Sequence, residues 1–148
     1  VRSLTLVGPA GLGQKIDADV IRGLVGARSR EDLLPLLQRL FTNPAAVPAA
    51  MPERIARFKQ RTGAVEALTK IATSRYAGTP SGRQLRDVVG TVPTLMIWGT
   101  EDRMIPPPAP DAQVPNGVRL HVLPGAGHMV QLEAADQVNR LIADFLPG

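Results

Sequence analysis

Asp102 and His128 each follow a run of apolar residues and a glycine-bearing turn. In an open α/β sheet, the carboxyl ends of the strands are where side chains are presented to a ligand. Asp102 lies in Trp98-Gly99-Thr100-Glu101-Asp102-Arg103-Met104-Ile105-Pro106, four residues past the last apolar residue of its run. His128 closes Leu123-Pro124-Gly125-Ala126-Gly127-His128, after the next run. A carboxylate can hold one ring nitrogen of an imidazole and fix its tautomer, which leaves the other nitrogen as a general base. Taken singly, an Asp in a turn is explained by local hydrogen bonding, and a His after a Gly-rich turn by loop packing. On two successive strands, in the order acid then histidine, they form a candidate acid–base pair. Glu101 is the competing acid, one atom longer and one position earlier, and the spacing favours Asp102. His121 falls inside the second apolar run and reads as a residue on the strand surface or packed against a helix.

The elements that must position this pair follow from pattern. Pro93-Thr94-Leu95-Met96-Ile97-Trp98 is nearly continuous and apolar, as in a parallel strand buried on both faces. Val118 to Leu123 predicts the next strand, and Pro124 to Gly127 a turn. Val138, Leu141, Ile142, Phe145 and Leu146 have the spacing of an amphipathic helix. At the other end, Leu4-Thr5-Leu6-Val7 predicts a short buried strand stopped by Gly8-Pro9. Residues 14 to 80 read as helical. Ser29 is placed to cap a helix with Glu31 and Asp32 in its first turn and Leu33, Leu36, Leu37 and Leu40 on its apolar face. Pro35 should kink that helix or shift its start. Asn43-Pro44 signals a fresh start, and Ile55 and Phe58 suggest a further helix. Val65, Leu68, Ile71 and Ala72 suggest a last one from near Thr62 or Gly63, their stripe a packing face. Gly78 to Gly82 reads as a linker.

Composition removes other classes of function. The 148 residues fit one ordinary domain or a piece of a larger one, and 44% hydrophobic with 20% charged residues indicates a globular chain. Cysteine is absent, so there is no disulfide, thiolate nucleophile or cysteine metal site, and two histidines make a zinc site improbable. The net charge is +4, with 14 arginines among 17 cations, but they are scattered without aromatic interleaving; no nucleic-acid partner is expected. No run approaches the ~20 apolar residues of a membrane helix. The first residues lack the pattern of a signal peptide, and a cytoplasmic location is expected. Val1 leads almost directly into a strand, so the chain is expected to begin inside a domain.

The strand with Trp98-Gly99-x-x-Asp102-x-x-x-Pro106, and Gly125-x-Gly127-His128 before a final helix, resemble the α/β-hydrolase family. That family's triad runs nucleophile, acid, histidine. The resemblance implies an α/β chain corresponding to the C-terminal half of the fold: the last three parallel strands, their flanking helices and an inserted helical cap. Residues 1–13 would be a core strand and loop, 14–80 the cap, and 81–148 the C-terminal part of the core. Asp102 and His128 would be the catalytic acid and base. A narrower likeness lies in Leu6-Val7-Gly8-Pro9-Ala10-Gly11-Leu12-Gly13, Ser29-Arg30-Glu31-Asp32-Leu33-Leu34-Pro35 and Leu40-Phe41-x-Asn43-Pro44. These resemble the hydrolase-like domains of acetoin dehydrogenase acetyltransferase components. That likeness implies acyl transfer between a lipoyl group and coenzyme A, with no cofactor held by this chain itself.

The nucleophile elbow G-x-S-x-G does not occur. Ser3, Ser29, Ser74 and Ser81 are the four serines, and none sits between the required glycines. Either the nucleophile lies upstream of this chain, or the chain is a degenerate copy; the intact contexts of Asp102 and His128 favour the first. Three functions stay open: acyl transfer, hydrolysis of an ester or carbon–carbon bond, and non-catalytic binding by a retained fold. The implied partners are a small acyl substrate and the missing N-terminal half of the domain. A homo-oligomer through the open strand edge at residues 3–7 is also expected.

Overall fold

In the computed structural model of the chain, residues 1–12, 16–76, 88–109 and 114–146 are described. The apolar run behind Pro93 becomes the centre of a parallel sheet. β1 (Leu4–Val7), β2 (Thr94–Gly99) and β3 (Val118–Leu123) lie in that order, with β2 in the middle. Leu4 pairs with Thr94 and Val7 with Ile97; on the other side, Thr94 pairs with Val118 and Gly99 with Leu123. Every residue of β2 is buried, as expected for a parallel strand with strands on both sides and helices on both faces. Leu95 and Ile97 face one layer, Met96 and Trp98 the other. β1, expected to be buried, is half-buried throughout. It is an edge strand: no described strand pairs with its outer side.

Four helices are described between β1 and β2: α1 (Ala18–Gly26), α2 (Arg30–Gln38), α3 (Met51–Lys59) and α4 (Ala64–Tyr76), with a 3₁₀ turn at Pro44–Ala46. After β3 come α5 (Val130–Glu133) and α6 (Ala135–Phe145). Ser29 caps α2, its Oγ accepting the Asp32 N–H at 3.1 Å while Asp32 accepts the Ser29 N–H at 3.1 Å. The N–H groups of Arg28 and Ser29 hold the Asp32 carboxyl below its ordinary range. Pro35 stands inside α2 without breaking it. The acceptor it leaves unused belongs to Glu31, an exposed residue, so the lost bond is cheap. Asn43 Oδ1 accepts the Ala45 N–H at 3.0 Å and starts the short turn. The expected linker at residues 78–82 lies outside the described residues.

Leu33, Leu37 and Leu40 join Met96, Trp98, Met104 and Ile105 in one core, so the helical insert and one sheet face are packed as a unit. On the opposite face, Val138 of α6 packs with Leu95, Ile97 and Val130, while Leu146, expected on that stripe, is 53% exposed just beyond the helix. The α4 stripe also departs from a closed packing face. Leu68, Ile71 and Ala72 line a cavity of about 430 Å³, and Ile71 is 54% exposed. No helix among the described residues is long and apolar enough to cross a membrane.

Lys59 ends α3 almost fully buried, at 6% exposure. Its Nζ donates to Leu24 O and, at 2.5 Å, to Ala27 O, so it closes the carbonyl end of α1. Burial lowers its ionisation below the ordinary 10.5. Lys59→Met should therefore cost about 1–3 kcal/mol by stranding two carbonyls. The folded state binds this proton less tightly than the unfolded chain. Stability from Lys59 should thus rise with pH as 10.5 is approached. Denaturant titrations across pH check this: the advantage of wild type over Lys59→Met should widen, and a gap that narrows would contradict the assignment.

Candidate active site

β2 and β3 end side by side, and the loops that leave them interlock. The Thr100 N–H donates to Leu123 O at 3.0 Å, the Glu101 N–H to Ala126 O at 2.9 Å, and the Gly125 N–H to Thr100 Oγ1 at 3.0 Å. Gly99 permits this approach. A methyl group there would collide with the carbonyl oxygens of Ala126 and Gly127.

The first loop then turns back beneath β2. Trp98, fully buried, donates its Nε1–H to Ile105 O at 2.8 Å and so closes the loop around Asp102. Asp102 is turned inward, with its side chain 1% exposed. Its Oδ1 accepts the N–H groups of Met104 at 3.0 Å and Ile105 at 2.8 Å. Its Oδ2 lies 2.9 Å from His128 Nδ1. Both carboxylate oxygens are therefore aimed, one by the loop backbone and one at the imidazole. An ionised carboxylate can only accept, so in the neutral imidazole this contact puts the hydrogen on Nδ1 and the lone pair on Nε2. Nε2 has no hydrogen-bond partner among the described residues, and the His128 side chain is 18% exposed.

β1 reaches the same point. Gly8 follows it at φ 52°, a backbone region that glycine enters without strain. A Cβ on Gly8 would stand 3.5 Å from Nδ1 and Cε1 of His128. Three adjacent strand ends thus meet at one imidazole. In the sequence Gly8 reads only as a turn residue; a Gly-Pro pair marks a turn but carries no signal of what packs on it.

Of the four candidates from sequence, the fold brings Asp102 and His128 together. Glu101 is exposed, and it is its backbone N–H that is engaged. His121 stays in β3 opposite Ile97, half-buried, without a hydrogen bond to either. No described serine hydroxyl bonds to His128: Ser29 caps α2, and Ser74 Oγ donates to Ile71 O at 3.2 Å. Among the described residues no group of three or more His, Asp or Glu could hold a metal ion. The arrangement can move a proton at Nε2 and stabilise the resulting cation through Asp102.

The collision at Gly99 sets a prediction. Gly99→Ala should lower the unfolding free energy by about 1–3 kcal/mol, because overpacking must be relieved by moving the 125–128 loop. Gly26 has open space where a Cβ would go, so Gly26→Ala is the control and should be neutral or better. Chemical denaturation of both variants measures the contrast; equal stability would show that the two loops are not held in contact.

Comparison with known proteins places the chain in a family. The family model described as the alpha/beta hydrolase family matches residues 1–141. The dihydrolipoyllysine-residue acetyltransferase component of the acetoin cleaving system from Pseudomonas putida is 41% identical over 146 residues, spanning 99% of this chain and 39% of that protein. Its counterpart from Cupriavidus necator is 33% identical, spanning 100% and 40%. This chain thus spans about two fifths of the length of these relatives. A 2-hydroxy-6-oxononadienedioate/2-hydroxy-6-oxononatrienedioate hydrolase from Pseudomonas sp. is 31% identical, spanning 76% of this chain and 46% of that protein. Among solved structures, a meta-cleavage product hydrolase from Pseudomonas fluorescens superposes with a TM-score of 0.72 at 22% identity, over 98% of this chain and 55% of its own. With the family model matching residues 1–141, the chain belongs to the alpha/beta hydrolase family.

Proposed function

We propose that the complete protein is an acyl-transfer enzyme, the acetyltransferase component of an acetoin-cleaving system. Asp102 and His128 are the acid and base of its Ser-Asp-His triad. The observation that carries this reading is the 2.9 Å contact between a buried carboxylate and an imidazole whose other nitrogen has no hydrogen-bond partner among the described residues. The names of the two relatives at 41% and 33% identity supply the reaction class.

In this reading the serine lies outside the 148 residues. Its Oγ attacks the thioester carbonyl of an acylated lipoyl arm while its proton passes to His128 Nε2. The carbon–sulfur bond breaks, and the departing thiolate takes that proton. The thiol of coenzyme A then gives its proton to Nε2 and attacks the acyl-serine. The carbon–oxygen bond breaks and the serine oxygen regains a proton. Asp102 holds the tautomer throughout and stabilises the imidazolium. The cavity of about 430 Å³ is lined by Leu24, Leu40, Met51, Phe58 and Met129, the residue after His128. That lining suits an apolar acyl chain and the exclusion of water. The outer edge of β1 is the surface that the rest of the domain, or a second copy, would cover. The proposed setting is cytoplasmic.

A second reading is hydrolysis of an ester or carbon–carbon bond, in which water replaces coenzyme A. The 31% identity to a 2-hydroxy-6-oxononadienedioate/2-hydroxy-6-oxononatrienedioate hydrolase favours it. Incubating the complete protein with S-acetyldihydrolipoamide and coenzyme A separates the two. Acetyl-coenzyme A is the expected product, and free acetate alone would move the protein to the hydrolase reading. His128→Ala should lower turnover by about a thousandfold or more, and Asp102→Asn somewhat less. Near-normal turnover in His128→Ala would overturn the assigned roles.

A further inference from the structure

Glu133 is the last residue of α5, and its carboxylate accepts from two separate segments. Oε2 accepts the Gly127 N–H at 2.8 Å, and Oε1 accepts the Thr42 N–H at 2.6 Å, from a segment 91 residues away. Glu133 forms no ion pair with a described cation. A parallel link lies on the other side of His128, where the Met129 N–H donates to Leu40 O at 3.2 Å. The residues immediately before and after His128 are thus both tied to the Leu40–Thr42 segment, one directly and one through Glu133. The fit around Gly127 is close: a Cβ there would stand 3.0 Å from Glu133 Oε2, Leu40 O and Thr42 N alike.

We propose that Glu133 is a positioning residue. Its carboxylate clamps the loop carrying His128 to the exit of α2, so the imidazole and the helical insert move as one piece. The distance from His128 Nδ1 to Asp102 then depends on where the insert sits. The role deepens the reading of His128 as the base and rests on it. A carboxylate suits the task because it offers two acceptor oxygens to two backbone N–H groups that converge from different segments. A glutamine keeps one acceptor oxygen and turns an N–H₂ toward the other donor. An aspartate is one methylene too short to span both.

The test uses the complete protein with Glu133→Gln, Glu133→Asp and Glu133→Ala, each read in two ways. The first is the kcat–KM split with the acyl substrate. The second is the downfield proton resonance of the Nδ1–H in its bond to Asp102, assigned by its loss in His128→Ala. For Glu133→Ala we expect kcat to fall by about ten- to a hundredfold with KM within about twofold, since misplacing a catalytic group by a fraction of an ångström has effects of that order. The Nδ1–H resonance should shift or broaden in the substrate-free protein. Glu133→Gln should fall between wild type and Glu133→Ala, and it is the variant to read if Glu133→Ala does not fold. An unchanged kcat, or a lowered kcat with an unchanged Nδ1–H resonance, would overturn the role. The resonance needs no turnover, so it tests the clamp even if the acyl-transfer reading fails.

Discussion

The structure depends on how closely two loops can approach at the carboxyl end of the sheet. β2 and β3 bring their ends within one strand spacing, but the side chains that matter lie four residues beyond Trp98 and five beyond Leu123. Such a lever would drift if the loops were free. They are locked by three hydrogen bonds, two of them backbone to backbone, and by a glycine whose missing side chain leaves room for the facing carbonyls. The lock sets the backbone at the strand ends, and the Trp98–Ile105 bond sets the depth of Asp102, which meets His128 at 2.9 Å. Because the Asp102 oxygens are shared between loop backbone and imidazole, the residue cannot rotate without losing bonds made in the dry interior, where such losses are costly.

The helical insert is part of this arrangement. Its core is continuous with the Met96 and Trp98 face of the sheet. The Asp17 N–H donates to Met104 O at 2.9 Å, two residues past the acid, and Asp17 pairs with Arg39 at 2.6 Å. The insert therefore touches the loops of both the acid and the histidine. Met129, the residue after His128, lines the insert's apolar cavity. In the proposed function, substrate recognition and proton transfer are brought together, because the surface that lines the cavity also braces the loops of Asp102 and His128.

Much of this was legible in the sequence, for identifiable reasons. β2 could be read because burial on both faces forces an unbroken apolar run. Asp102 and His128 could be read because they stand just past such runs, where side chains point to a crevice. Ser29 and Asn43 announced their caps through local hydrogen bonding, which depends on only a few neighbours. Features that depend on distant partners could not be read. Pro35 reads as a kink, but its lost bond falls at an exposed residue and α2 continues. Ile71 reads as packed but borders a cavity. The edge at β1 was legible only through the family resemblance, which implied an open side at residues 3–7; the apolar run by itself reads as buried, and the strand is half-buried. Lys59 and Glu133 carry the types of surface residues, and their roles come from carbonyl and N–H groups on other segments.

The central role proposed for Asp102 and His128 is to activate a serine beyond these 148 residues. Labelling the complete protein with a serine-directed phosphonate, followed by mapping of the modified peptide, tests it most directly. A single labelled serine outside this segment is predicted, with labelling slowed by orders of magnitude in His128→Ala. Label on Ser3, Ser29, Ser74 or Ser81, or a rate that His128→Ala leaves unchanged, would contradict it.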